Sequence, residues 1–322
     1  MPKSNKSTKK TGFRAAILLL LLLPVAAVAV YFKLPALLFY WLQMVLHEGE
    51  WRETGLWLPY YHVSIEAQPI VGVDRNASGL TFNEQTQTLF AVINQPAQII
   101  ELDTSGRLLR TIAVDGATDL EGIAHVRDQV FVLVDEREHH IYRIELDAGT
   151  DRLSLDGAAR LGIGLDLNGN LGFEGVSWDQ HGDRLFVVKE KSPLRVLVIS
   201  GLPQLYAGDG FDLQIREWKA ATASSLFMTD LSSLTFHEPS GNLLLLSDES
   251  AIIVEYAGDG QPVSMLPLWP GVHGLKRRVP QAEGLAVGSD GSLYLLSEPN
   301  LFYRFDRRVP ARWAESGDIS AN

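Results

Sequence analysis

The 322-residue chain contains no cysteine, so no disulfide holds the fold and no thiol chemistry is available to it. It also lacks a G-x-S-x-G nucleophile elbow, an H-E-x-x-H pair and a P-loop, which removes the commonest hydrolase, metalloprotease and nucleotide-binding signatures. Acidic residues are missing from residues 1–47, which carry six Lys or Arg. The remainder therefore holds 28 − 6 = 22 basic against 39 acidic residues, a net of −17. A surface of that sign repels phosphate backbones, so nucleic acid is a poor partner and cations are better ones.

What the chain does have is a repeat. Thr118 to Leu146, TDLEGIAHVRDQVFVLVDEREHHIYRIEL, reads as three short strands separated by polar turns, and no helical period fits it. The same pattern recurs as SGLTF, LFAVIN and IIELD from Ser78; EGVSW, LFVVKE and RVLVIS from Glu174; SSLTF, LLLLSD and IIVEY from Ser232; and EGLAV, LYLLSE and FYRF from Glu283. One column holds Gly79, Gly122, Gly175, Ser233 and Gly284, with steps of 43, 53, 58 and 51 residues. Multi-strand units at that spacing are the sequence signature of propeller blades. All-β chains of more than about 200 residues form single domains of this kind.

Each blade needs a fourth strand. RLLRTIAV, RLSLDGAARL, LQIREW and PVSMLPL follow the first four triplets, whereas the fifth is followed only by the polar tail 307–322. The strand-like stretch from Trp57 to Ile65 has no repeat of its own, so it is expected to complete the last blade and remove two open sheet edges. The expectation is an all-β, five-bladed β-propeller over residues 56–306, closed by an N-terminal strand. A sixth blade would have to hide in the inserts Asp147–Gly172 or Gly201–Thr229.

Ahead of it lies a basic tail, 1–14, then eighteen charge-free residues from Ala15 to Phe32, then Lys33 and the apolar run Leu34–Leu46. A bilayer-spanning helix needs about 20 apolar residues, so 15–46 is read as a transmembrane anchor with a juxtamembrane apolar segment, the run Leu34–Leu46 either extending the helix or lying at the interface. Tyr40 and Trp41 suit headgroup depth. The positive tail stays cytoplasmic, which puts the propeller on the other side of the membrane. The competing reading is a cleaved signal peptide, with Ala27-Val28-Ala29 as the small-residue site.

The repeats share polar columns as well. At the start of the first strand stand Ser78, Glu121, Glu174, Ser232 and Glu283, and at the end of the second stand Asn94, Asp135, Glu190, Asp248 and Glu298. The two strands form an antiparallel hairpin, so both columns converge on one face, the first ringing the channel mouth. Two carboxylates ~6 Å apart repel by roughly 3 kcal/mol at an effective dielectric of ~20, so such a ring requires protons or a cation. Carboxylates mixed with neutral oxygens favour Ca²⁺ over zinc or copper. The metal candidates are Glu121, Glu174, Glu283, Asp135, Glu136, Glu190, Asp248, Glu249 and Glu298. Because neighbouring strand residues face opposite ways, one of Asp135 and Glu136 and one of Asp248 and Glu249 should point to the site. A bland alternative is that these carboxylates cap strand ends. Asp166-Leu-Asn168-Gly-Asn170 has the opening of a calcium loop but lacks its Gly and Glu, so a plain turn is expected there. His125 is read as a core or channel histidine, Trp178 and Phe236 as packing between blades, and His139-His140 as a solvated loop tip.

The anchor, the SGLTF and EGI repeats and the SDES run at Ser247–Ser250 resemble the SdiA-regulated family of bacterial envelope proteins, over roughly residues 60–306. The resemblance implies a five-bladed propeller distantly similar to NHL-repeat proteins, and a calcium site, with no established biochemical activity. The resulting expectation is a membrane-anchored calcium-binding module that binds or scaffolds an unidentified protein or small molecule. The alternative is a metal-dependent phosphoester or lactone hydrolase, or a lyase, on the same acidic face.

Overall fold

The structure is a computed structural model and describes residues 20–165, 172–191, 193–202, 212–222 and 225–308. Two helices lead in, α1 (Leu20–Tyr31) and α2 (Leu34–Leu46), followed by a single turn, α3 (Glu48–Trp51). Lys33 between the first two takes a left-handed φ of 51° and Pro35 opens α2. A proline inside a continuing helix would lack a donor and strike the carbonyl one turn back, so the axis breaks and the helices meet at 60°. Among the described residues no single helix is long and apolar enough to cross a membrane, although the bent pair together passes on length and composition. The run Leu34–Leu46 is therefore a second helix and does not extend the first along its axis.

Beyond a 3₁₀ turn at Leu58–Tyr60 the described chain is almost all strand: β1 (Tyr61–Pro69), β2 (Ala77–Asn83), β3 (Thr88–Ile93), β4 (Gln98–Leu102), β5 (Leu108–Asp115), β6 (Leu120–Arg127), β7 (Val130–Asp135), β8 (His140–Glu145), β9 (Arg152–Ser154) and β10 (Arg160–Gly162). There follow β11 (Phe173–Asp179), β12 (Arg184–Lys189), β13 (Arg195–Ser200), β14 (Gln214–Trp218), β15 (Ser233–His237), β16 (Asn242–Ser247), β17 (Ile252–Tyr256), β18 (Pro262–Pro267), β19 (Ala282–Val287), β20 (Leu293–Ser297) and β21 (Leu301–Arg307). They form five sheets, one per repeat, making a five-bladed propeller. The fifth sheet runs β1-β21-β20-β19, with Tyr61 opposite Arg307 and Pro69 opposite Leu301. The strand before the first repeat thus lies beside the last one. It begins at Tyr61 rather than Trp57, because Trp57 has a positive φ of 57° and Pro59 follows it in the 3₁₀ turn.

Blade two departs from expectation. RLSLDGAARL is not one strand. It turns at Gly157, whose φ is +79°, so that β9 runs parallel to β5 as a fifth strand of blade one and β10 becomes the outer strand of blade two. Second strands such as β7 (VFVLVD) and β16 (NLLLLS) are buried on both faces, against the neighbouring blades, and hence read as continuous apolar runs without alternation.

The glycine column has a steric cause. First strands crowd the axis so closely that a Cβ on Gly79 would lie 2.4 Å from the Glu121 carbonyl oxygen, one on Gly122 2.9 Å from that of Glu174, and one on Gly175 2.9 Å from the Ser233 Cα. Only glycine leaves room for that approach.

Candidate cation site at the propeller mouth

At the strand-one ends the chain does not pair evenly. The register shifts between Leu120 and Gly122, between Phe173 and Gly175, and between Ala282 and Gly284. Glu121, Glu174 and Glu283 are thus the extra residues of three equivalent β-bulges, a device that re-aims a side chain and ends regular pairing. All three line one cavity of about 300 Å³ at the mouth of the propeller.

Second-strand ends complete the wall. Glu190, Asp248, Glu249 and Glu298 border the same cavity, with Lys191 and Asp230. One oxygen from each of Asp119, Glu121 and Glu136 can lie within 4.8 Å of the others, and so can one from each of Glu136, Glu174 and Glu190. Glu136 joins the two groups and so ties blade two to blade three.

Asp135 is a correction. Its neighbour Glu136, rather than Asp135 itself, is in register with Asn94 and Glu190, since Asp135 pairs with Leu120 where Lys189 pairs with Phe173. The Asp135 carboxylate is fully buried and accepts from the Thr118 N–H at 2.7 Å, the Thr118 hydroxyl at 2.8 Å and the Glu138 N–H at 3.1 Å. It is a loop cap. The alternation argument also fails at the next pair, because both Asp248 and Glu249 reach the cavity. They lie past the end of β16, in a turn where strand alternation no longer applies.

Electrostatics at the mouth follow from burial and crowding. Desolvation raises Glu121 from 4.5 to about 7, opposed by hydrogen bonding from Ser78 and, less, from Asn94, with the Asp119 and Glu136 charges adding to the rise. Glu136 is also raised to about 7, by burial and by Asp119 and Glu190. Glu283 rises to about 9 through burial, Glu121 and Asp248, while Glu174 is held well above the carboxylate range by burial and by Glu121 and Glu136. Asp230 and Glu298 are raised too, both chiefly by burial. Glu249 alone shifts down, because Lys191 bonds it at 2.7 Å. Lys191 also reaches Glu190 at 2.9 Å, Arg137 pairs with Asp119 at 3.0 Å, and Arg278 lies 4.0 Å from Asp248. These three cations stand against ten carboxylates named above for the mouth, excluding Asp135. The surplus is large: two ionised carboxylates at 4.8 Å repel by about 3 kcal/mol at an effective dielectric of ~20.

Two ligand-type residues escaped the sequence reading. Asp119 and Asp230 precede the bulge column by two positions, and the signal was present as the repeated Thr-Asp-Leu at Thr118–Leu120 and Thr229–Leu231. Asp230 places a carboxylate in blade four, where the column itself has Ser232, whose hydroxyl instead donates to the Ala282 carbonyl at 2.6 Å. Asn94 donates to Asp119 and, at 2.7 Å, to Glu121 Oε1, and its buried Oδ1 has no hydrogen-bond partner among the described residues. A buried amide oxygen left bare beside carboxylates suits a hard cation, not a proton donor, as its partner.

The opposite mouth is a separate cavity of about 370 Å³, lined among others by Phe82, His125, Trp178 and Phe236. Trp178 and Phe236 thus border the channel, although Phe236 also stacks on Phe186 at 5.3 Å. His125 donates to or accepts from nothing at the acidic end; its Nε2 lies 3.0 Å from the Asp128 carbonyl, and burial lowers its pKa. His139 is no solvated tip: its ring lies edge-on to Phe173 at 6.0 Å. The Asp166–Asn170 stretch lies outside the described residues.

Fold and site together define a five-bladed β-propeller with a carboxylate-lined mouth. The family model for SdiA-regulated proteins matches residues 53–306, and the chain belongs to that family. Among solved structures it is similar to a luciferin-regenerating enzyme (15% identity, TM-score 0.49, covering 77% of this chain and 97% of that one). It is also similar to a streptogramin B lyase (12%, 0.45, 77% and 98%) and to a chain of a nidogen/laminin complex (14%, 0.45, 74% and 85%).

Proposed function

We propose that the protein is a membrane-anchored, periplasmic Ca²⁺-binding propeller that acts as a binding or scaffold module of the cell envelope. The observation that carries this reading is a pair of carboxylate triads sharing Glu136, one with Asp119 and Glu121 and one with Glu174 and Glu190, with the bare Asn94 Oδ1 beside the first. Oxygen-only donors in that number match the six to eight oxygens that Ca²⁺ takes. Glu283, Asp230, Asp248 and Glu298 supply further negative charge across the cavity. When bound, the ion replaces the protons that burial forces onto these carboxylates. The pairing of β1 with β21 is read as the clasp of the ring, since it covers the edge that β21 would otherwise expose.

A hydrolase or lyase needs an open metal position and positive charge for an anionic substrate. Here Lys191, Arg137 and Arg278 each lie against a rim carboxylate, which favours a binding module. The basic tail and charge-free run support the inner-membrane location and the outward-facing propeller.

In detergent-solubilised full-length protein, Ca²⁺ should raise the melting temperature, and Glu121→Gln with Glu174→Gln should abolish the rise. An unchanged rise in the double variant refutes the site. Calcium-dependent turnover of a phosphoester or lactone, lost in the same variant, would replace the scaffold reading with the enzymatic one.

A further inference from the structure

Helix α2 carries two faces of different fate. Tyr40 and Met44 are buried against the propeller; the Tyr40 ring stacks on Phe227 at 5.3 Å and its hydroxyl meets Ser225 at 3.0 Å. Tyr40 therefore does not sit at headgroup depth as its sequence position suggested. The Lys33 ammonium is turned inward as well, donating to the carbonyls of Leu226 at 3.2 Å and Met228 at 2.7 Å. The outward face is a different surface: Leu38 (64% exposed), Trp41 (47%), Leu42 (46%), Val45 (49%) and Leu46 (66%), with no charge anywhere from Leu34 to Leu46. Contiguous exposed apolar area of this kind marks an interaction site.

Three observations identify its occupant. The face is continuous with α1, whose Leu20, Leu23, Val28 and Tyr31 are all more than half exposed, so the two helices present one unbroken apolar surface. Next, α2 cannot cross a bilayer, because its inner face is fastened to a propeller that carries ion pairs such as Arg195–Glu217 on its wall. Finally, the 60° bend sets the geometry. With α2 flat on the membrane, α1 can incline by about 30° from the normal, within the ordinary tilt range of spanning helices. The twelve residues of α1 extend about 18 Å at helical rise, and the sequence ahead of them stays charge-free back to Ala15.

We infer that α2 is an interfacial strap: its outward face lies in the lipid headgroup–acyl boundary while its inner face grips the propeller wall. This rests on the membrane reading proposed above and goes beyond it by fixing the orientation of the domain. Lys33 begins the strap near Met228, two residues from Asp230 at the acidic mouth. By Thr54, whose carbonyl accepts from Asn242 at the far end of β16, the chain has reached the opposite end of the wall. The strap therefore runs along the propeller axis. The axis lies along the membrane plane, and the acidic mouth opens sideways, over the lipid surface, at the end where α1 enters the bilayer.

The cysteine-free chain allows a direct test. Full-length protein is reconstituted in vesicles of phosphatidylcholine with one-fifth phosphatidylglycerol. Single nitroxide labels are placed through Leu23→Cys, Leu38→Cys, Leu42→Cys, Val45→Cys and, as a water reference, Asp183→Cys, and collision with oxygen and with a nickel chelate gives each depth. The sites on both helices are exposed, so the labels do not disturb the packing. The inference expects labels at 38, 42 and 45 to favour oxygen at one common shallow depth, about 5–10 Å into the boundary, with 23 deeper and 183 in water. A depth that changes by about 1.5 Å per residue from 38 to 45 overturns it, because α2 would then be part of the span. So do labels at 38–45 that meet only the nickel chelate, or neither reagent, while 23 stays in lipid; the second pattern assigns the face to a protein partner. A label at 23 that also meets water removes the anchor together with the strap.

Discussion

At the scale of single residues, the account turns on carboxyl groups that keep their protons in the folded state. Unfolded, Glu121, Glu136 and Glu283 release protons near 4.5; folded, they do so near 7, 7 and 9. Between these values the folded state binds more protons, so its stability falls as pH rises. Without a divalent cation, the melting temperature should drop steadily from pH 5 to pH 9, and saturating Ca²⁺ should flatten or reverse that slope. Titration calorimetry in two buffers of different ionisation enthalpy should show proton release on calcium binding at pH 6.5. Asp135 makes the contrasting case. Asp135→Ala leaves buried N–H donors at Thr118 and Asp119 without an acceptor and should cost about 1–3 kcal/mol of stability, measured by chemical denaturation, with the calcium response retained. Sequence alone showed a carboxylate at both 135 and 136 but not which one faced the cavity, because the choice depends on where β7 ends relative to β6. Asp119 was legible only through the Thr-Asp-Leu repeat, two positions before the Glu121 column.

Among elements, hydrophobic pattern carried the fold well. Every expected triplet of strands is present, because each second strand is sandwiched between blades and had to be apolar throughout. The failures fell where local chemistry overrides pattern. Gly157 splits the stretch expected to be blade two's outer strand, and Lys33 with Pro35 decides that the second apolar run does not continue the first helix. The bulges were invisible, since a one-residue shift leaves apolar spacing almost unchanged, yet they aim Glu121, Glu174 and Glu283 at the axis. Gly79→Ala tests the packing that accompanies them. Its φ is +27° and the new Cβ would lie 2.4 Å from the Glu121 carbonyl, so the substitution should lower stability by at least the ~1–3 kcal/mol typical of overpacking. It should also weaken calcium binding by displacing Glu121. Gly149→Ala, where the nearest atom to an added Cβ is 3.5 Å away, should melt like the parent protein.

On the scale of the whole molecule, five sheets place their strand ends around one axis, and the excess of negative charge that composition announced is concentrated at one mouth. Part of the net of −17 outside the first 47 residues gathers at that mouth, where burial favours protonated carboxyls. The opposite mouth, with Phe82, Trp178 and Phe236, has a different chemistry, so the two ends of the channel are not interchangeable. The most direct test of the central claim is anomalous diffraction from crystals of the full-length protein grown with Ca²⁺. The account predicts a peak on the mouth side of the axis, about 2.3–2.6 Å from oxygens of Glu136 and of one of its two partner pairs, Asp119 with Glu121 or Glu174 with Glu190. A peak confined to the rim or to the opposite mouth, or no peak at saturating calcium, would contradict it.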